Sequence, residues 1–255
     1  MEEKHRLGGM ALANGVLVHG PTSWACAVRT DDGEIKVAAE RKSVKAGVES
    51  PFLRGPLKLF EAVAFLPRLK RALPEAKLPF ERGSVIGAMI GTAVVVQGVR
   101  RSALSDTAKE LIGGLLALTP AVLSLREGSL AAYHGAEHIA IGSYEHGEQR
   151  AKEHERCGSH LLGPMLVVAA AGNLVASRLP ERLRPAGRAA ASVGAVAVST
   201  ELFAWMTRNP EHPLARALAL PGHELQHRFA TAEPTPAQLE VAEAALRACV
   251  ELEDA

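Results

Sequence analysis

The sequence predicts an α+β chain, mostly α. A small N-terminal β-hairpin region leads into a bundle of apolar helices, and an amphipathic helix closes the chain. Three observations carry this reading. Strand-forming residues flank an Asp-Gly turn near the start, four apolar stretches fill the middle, and a capped amphipathic pattern ends the chain. At 255 residues there is enough chain for one large domain or two small ones. We place the division at residue 50, with residues 1–50 β-rich and residues 51–255 helical.

Composition narrows the function. Lys+Arg total 29 against Asp+Glu 28, so no global field draws nucleic acid, and none is expected as a partner. The 3 cysteines are scattered and odd in number, which argues against a disulfide framework and for a reducing compartment. The opening "MEEKHRLGGMALANG" lacks the long apolar run of a secretory signal. Hydrophobic residues make up 47% of the chain but aromatics only 4%, a composition suited to closely packed helices, in water or in a bilayer.

The elements follow in order. From about Val16 to Arg41, "VLVHGPTSWACAVR" and "EIKVAAE" read as strands around "TDDG", where Asp32-Gly33 signals a hairpin. Next, "FLRGPLKLFEAVAFLPRLKRAL" spaces Leu53, Leu57, Phe60 and Ala64 as a helix with Arg and Lys between them. Two readings stand: an ordinary surface helix, or one lying in a membrane interface. Four apolar stretches come next, Val85–Val99, Leu111–Leu125, Leu161–Val175 and Ala189–Met206. Most are shorter than the roughly 17–25 residues a bilayer asks for, so membrane spans and buried helices both fit. At the end, Thr235 is the N-cap, Pro236 takes the first helical position and Gln238 closes a capping box with Thr235. Leu239, Ala242, Leu246 and Cys249 then make the apolar stripe.

Two motifs have metalloenzyme spacing. "HGAEH", His134 to His138, fits H-x-x-E-H, and "HELQH", His223 to His227, fits H-E-x-x-H. Each puts two imidazoles on one helical face beside a glutamate. Their surroundings differ. His223 follows Pro221-Gly222 and sits near a loop, whereas "SLAAYHGAEHIAIGSYEHG" predicts a full helix from Ser129 to about Gly147. On that helix His134, His138, Ile141 and Glu145 form one stripe, where polar groups are costly unless paired or bound to metal. "HGAEH" is therefore the stronger candidate.

The blocks "GGMALANGVLVHGPTSWACAVR", "SPFLRGPLKLFEAV", "YHGAEHIAIGSYEHGE", "HERCGSHLL" and "PGHELQHRFATAEPTPAQLEVAEAALRA" resemble the YqhQ-like family of bacterial multi-pass membrane proteins, for which metal-dependent activity is predicted. The resemblance implies that region 51–255 is membrane-associated, in a bacterial cell membrane, multi-pass or interfacial. Its polar signatures fall on His134, Glu137, His138, His154, Arg156, Cys157 and Gly158. The C-terminal pattern includes Pro221, Gly222, Leu225, Gln226, Thr231, Glu233 and Pro234, but neither histidine of "HELQH", so the resemblance implies that this motif is a coincidence of composition. Ile139 and Glu155 depart from the family residues at their positions.

His134, His138, His154 and Cys157 are ligand types for a divalent metal, zinc first. Four ligands would close the site and make it structural. Three would leave room for water, with Glu137 as general base of a hydrolase. Glu145, about 10 Å farther along the helix than His138, suits a supporting or substrate-binding part in that catalysis. The expected partners are membrane lipid and a peptide or membrane-protein substrate. The alternative is a non-catalytic membrane protein, in assembly, scaffolding or transport, whose His/Cys cluster is a structural site or a hydrogen-bond network. Metal handling is a third reading. Glu201, inside an apolar stretch, is either functional or paired with an arginine such as Arg208. Four spans with cytoplasmic termini put the motif segment in the cytoplasm, as the basic "PRLKRAL" favours. Arg178, Arg182, Arg184 and Arg188 then fall on the opposite side, a conflict that re-entrant or interfacial helices would remove.

Overall fold

A computed structural model describes residues 4–42, 50–126 and 129–255. The division near residue 50 abuts residues 43–49, outside the described residues. Strands β1 (Gly8–Leu12), β2 (Gly15–His19), β3 (Ser23–Arg29) and β4 (Ile35–Arg41) pair in sequence order as an antiparallel meander. The helices are α1 (Arg54–Ala72), α2 (Gly83–Arg101), α3 (Asp106–Ala117), α4 (Thr119–Arg126) and α5 (Leu130–His146). Then come α6 (Leu162–Ser177), α7 (Arg184–Arg208), α8 (Pro213–Leu225) and α9 (Pro236–Asp254). The chain is thus α+β and mostly α.

The hairpin predicted at Asp32-Gly33 joins β3 to β4, with the Gly33 amide donating to the Thr30 carbonyl at 3.0 Å. β1 extends the sheet beyond the region read as strand from Val16. Its "GGMAL" has two glycines and weak β-propensity, so the local sequence barely marks it. Asn14 fixes the β1–β2 turn instead. Its side chain donates to the carbonyls of Arg29 and Glu75, both at 3.0 Å, and accepts from the Lys77 amide at 2.9 Å.

Alternation along β2 and β3 gives the sheet two apolar faces. Val16, Val18, Ala25 and Ala27 pack with Tyr133 and Ile141 of α5 and with Val241, Ala245 and Cys249 of α9. Leu17, Trp24, Cys26 and Val28 pack with Leu69 of α1 and with Leu73, which caps that helix. Trp24 meets Phe65 edge-on at 4.8 Å between centroids, a geometry worth about 0.5–1.5 kcal/mol beyond area burial. Helices therefore cover both faces of the sheet, and α5 is held against one of them. The Thr235–Gln238 capping box starts α9 as predicted, although its buried stripe centres on Val241, Ala242, Ala245 and Cys249. Leu239 and Leu246 lie half-buried at its flanks.

The apolar stretches form helices longer than their apolar cores, because flanking polar residues join them. Gly83–Arg101, Asp106–Leu125, Gly158–Ser177 and Glu181–Arg208 are long and apolar enough to cross a membrane. Nineteen residues of α-helix, the shortest case, reach about 28 Å, close to a hydrocarbon core. The second stretch breaks between α3 and α4 at Leu118, just before Pro120. Ile90, Val94 and Leu115 stand 63%, 67% and 67% exposed, so these helices present wide apolar faces that are unusual against water. Glu201 pairs with Arg54 of α1 rather than Arg208: Arg54 donates through Nε at 2.7 Å and Nη2 at 2.5 Å. Arg188 lies 4.0 Å from Glu110, a partner for one of the arginines that conflicted with the expected topology.

Candidate metal centre

α5 follows Ser129 and ends at Gly147, which takes φ +75 as the left-handed cap. Its stripe of His134, His138, Ile141 and Glu145 faces inward, with His138 and Ile141 only 3% and 2% exposed. Gly135 explains part of the "HGAEH" pattern. A Cβ there would lie 2.2 Å from the Ala232 carbonyl, so only glycine lets the segment after α8 approach α5. That approach is sealed by the Ala232 amide donating to the Ala131 carbonyl at 2.9 Å. It also brings the Ala230 carbonyl to His134.

The two imidazoles are oriented from behind. His134 Nδ1 lies 2.8 Å from the Ala230 carbonyl and His138 Nδ1 lies 2.6 Å from the Lys152 carbonyl. A carbonyl only accepts, so each Nδ1 carries the hydrogen, which leaves Nε2 as the ligand atom of each ring. Cys157 Sγ sits 3.5 Å from His134 Nε2. Ligand atoms of His134, His138 and Cys157 all lie within 4.8 Å of one another. Zinc bonds place neighbouring N and S ligands about 3.3–3.8 Å apart, so the donor set fits after a small inward movement.

Charge is managed around this cluster. Burial lowers the His138 pKa and keeps the ring neutral, the form that ligates metal. Glu137 is 6% exposed, its Oε2 is 3.9 Å from His134 Nε2, and burial raises its carboxyl above the ordinary range. His154 stands beside the three, its ring centroid 5.5 Å from that of His138. Its Nδ1 accepts from the Arg156 amide at 3.2 Å, while Nε2 is buried without a hydrogen bond and lies 3.8 Å from Glu145. Glu145 accepts from the Leu7 amide at 3.1 Å and pairs with the Arg156 guanidinium. Burial would raise the Glu145 carboxyl, but His154, Arg156 and the Leu7 amide outweigh it and hold the pKa at about 2. Glu145 thus ties the ligand-bearing loop to the start of β1.

The "HELQH" residues part company. α8 ends at Leu225 and a single π turn, Gln226–Ala230, follows. His223 and His227 stack 6.4 Å apart, and His227 turns to Glu153 at 3.1 Å. Among the described residues, neither joins a metal-competent group. Gln226 between them was missed as a site residue. Fully buried, it accepts from the His154 amide at 2.8 Å and donates to Ser159 Oγ at 2.7 Å, so it fixes the loop on both sides of Cys157. Apolar periodicity cannot find such a residue; its place beside Leu225 in the C-terminal pattern was the only signal.

His134, Glu137, His138 and Cys157 form one wall of a cavity of about 700 Å³. The other walls come from β1, α1 and α7, through residues such as Met10, Lys58 and Phe203.

The meander, the apolar helices and this cluster together define a mostly helical α+β protein with a candidate His–His–Cys centre. Residues 128–252 match the family model "Protein of unknown function (DUF1385)". The chain is similar to "Uncharacterized protein YqhQ" of Bacillus subtilis (strain 168), 26% identical over 292 aligned residues that cover 94% of this chain and 92% of that protein. These matches support a YqhQ-like family. No solved structure matches. Neither match names an activity, and what function can be read lies in the site itself.

Proposed function

We propose that this chain is a bacterial membrane protein in which His134, His138 and Cys157 hold a divalent metal, zinc by ligand type. Glu137 then serves as general base in hydrolysis of a peptide or other acyl bond near the membrane surface. One observation carries the reading. Both histidines commit Nδ1–H to backbone carbonyls, His134 Nε2 lies 3.5 Å from the Cys157 thiol, and ligand atoms of all three side chains lie within 4.8 Å of one another; a backbone partner behind each ring is the arrangement that orients imidazole ligands in metal sites. A metal held there would acidify a coordinated water towards a pKa of about 7. Glu137 would accept the proton, since its carboxylate borders the cluster without belonging to it. The cavity gives a substrate room on the side that the three side chains leave open. The apolar helices support membrane association, and the basic "PRLKRAL" ahead of the first span favours a cytoplasmic motif segment.

A second reading has its own observation. The 3.5 Å contact between Cys157 Sγ and His134 Nε2 also suits a thiol–imidazole hydrogen bond in a purely structural network. Glu137→Gln separates the two. Wild-type protein purified in detergent should hydrolyse members of a panel of fluorogenic esters and peptides. The variant should keep its metal yet lose about 10²–10⁴ in rate, the range of a general base. Equal rates in both proteins would remove Glu137 as the general base, metal without any hydrolysis would leave a structural metal site, and a metal-free wild type would leave the hydrogen-bond network as the better account.

A further inference from the structure

The cavity is built from one end of the apolar helices. Pro79 precedes the first candidate span, Leu125 ends the second, Cys157 precedes the third and Phe203 lies near the end of the fourth. In an up-and-down crossing order all four positions fall on the same side, at the bilayer surface. α1 is seated at that level too. Its Arg54 holds Glu201 of α7, and Gly55 passes so close to Thr200 that a Cβ would come within 2.3 Å of the hydroxyl. Away from these contacts α1 and the Leu53 that precedes it expose an apolar face: Leu53, Phe60 and Val63 are 56%, 70% and 59% exposed. Such a helix, basic and apolar by faces, belongs in a membrane interface.

Lys58, on the cavity side of α1, is exposed and makes no ion pair among the described residues. The other strong cation lining the cavity, Arg156, is already paired with Glu145. Apolar walls from Met10, Leu130 and Phe203 run beside this unmatched charge. We propose that the cavity binds an anionic amphiphile of the bilayer, its headgroup drawn to Lys58 and its chain lying along the apolar wall. The headgroup would thereby stop beside Glu137 and the His–His–Cys cluster. The proposal rests on the membrane reading above and not on the metal.

The test uses the full chain in phosphatidylcholine nanodiscs with photoactivatable phosphatidic acid or photoactivatable phosphatidylcholine as the probe. Phosphatidic acid should label peptides of α1 and the cavity about fivefold more than phosphatidylcholine, the weight of one lysine at an anionic surface. Lys58→Glu should remove that preference, while Lys36→Glu, at a residue that does not line the cavity, should keep it. Short-chain phosphatidic acid should compete and inorganic phosphate should not. Equal labelling by both lipids, or labelling unaffected by Lys58→Glu, overturns the proposal. Competition by inorganic phosphate as strong as by the lipid would make this a site for soluble anions and overturn it as well. Metal content and membrane retention, measured on the same samples, would show whether the broader reading survives such a failure.

Discussion

The carboxamide oxygen of Gln226 accepts the backbone amide of His154 at 2.8 Å. A residue in the middle of one histidine motif thereby holds the loop that completes the other. The same side chain donates to Ser159 Oγ at 2.7 Å, so Cys157 is bracketed from one buried point. Gln226→Leu keeps the volume and removes these bonds. It should weaken metal affinity about 10–100-fold, the usual effect of losing groups that orient ligands. Competition with a chromogenic chelator measures this, and unchanged affinity would mean that the loop is held by other contacts.

His223→Ala and His227→Ala should behave differently. His227 turns to Glu153, away from the cluster, and both rings are exposed. Each variant should bind metal as wild type does in the same chelator assay. Loss of metal in either would transfer the site to "HELQH".

Membrane association is checked by fractionation. Four helices with apolar faces should keep the protein in the pellet after carbonate or high-salt washing. Recovery of a monomer from the soluble fraction without detergent would contradict it.

The sequence made much of this legible, for identifiable reasons. The α5 helix could be read because His134, His138, Ile141 and Glu145 keep one helical face, and its ends are marked by Ser129 and Gly147. The Asp32-Gly33 turn and the Thr235 cap are local signals, and both stand where expected. What stayed hidden depends on distant contacts. β1 exists because β2 and α5 lie against it, and not because "GGMAL" favours a strand. Spacing grouped His154 with Cys157 in H-x2-C, but the loop turns its Nδ1 to the Arg156 amide and leaves it beside the three-ligand group. Arg54 as the partner of Glu201 links residues 147 apart in sequence, beyond any local pattern.

A pH dependence follows from the end of the chain. Glu253 accepts from the Ser23 and Thr22 amides at 2.6 and 2.9 Å and from Ser23 Oγ at 2.7 Å. Burial would raise its carboxyl, but these donors outweigh that and hold the pKa at about 2. A depressed carboxylate contributes its stability in full above the ordinary value of 4.5 and loses it as pH falls towards 2. Glu253→Ala should cost about 1–3 kcal/mol near neutral pH, since it strands donors of the buried Ser23. It should also flatten the acid limb of the thermal-unfolding midpoint. An acid limb identical to wild type would show that other carboxylates set it.

The most direct test of the central claim is the metal content of the full chain, purified in detergent and measured by inductively coupled plasma mass spectrometry. Wild type should carry about one divalent transition metal per chain, as expected for a single ligand cluster. His138→Ala and Cys157→Ser should each fall well below it. The claim is contradicted if wild type stays metal-free after incubation with zinc, or if both variants bind as much as wild type does.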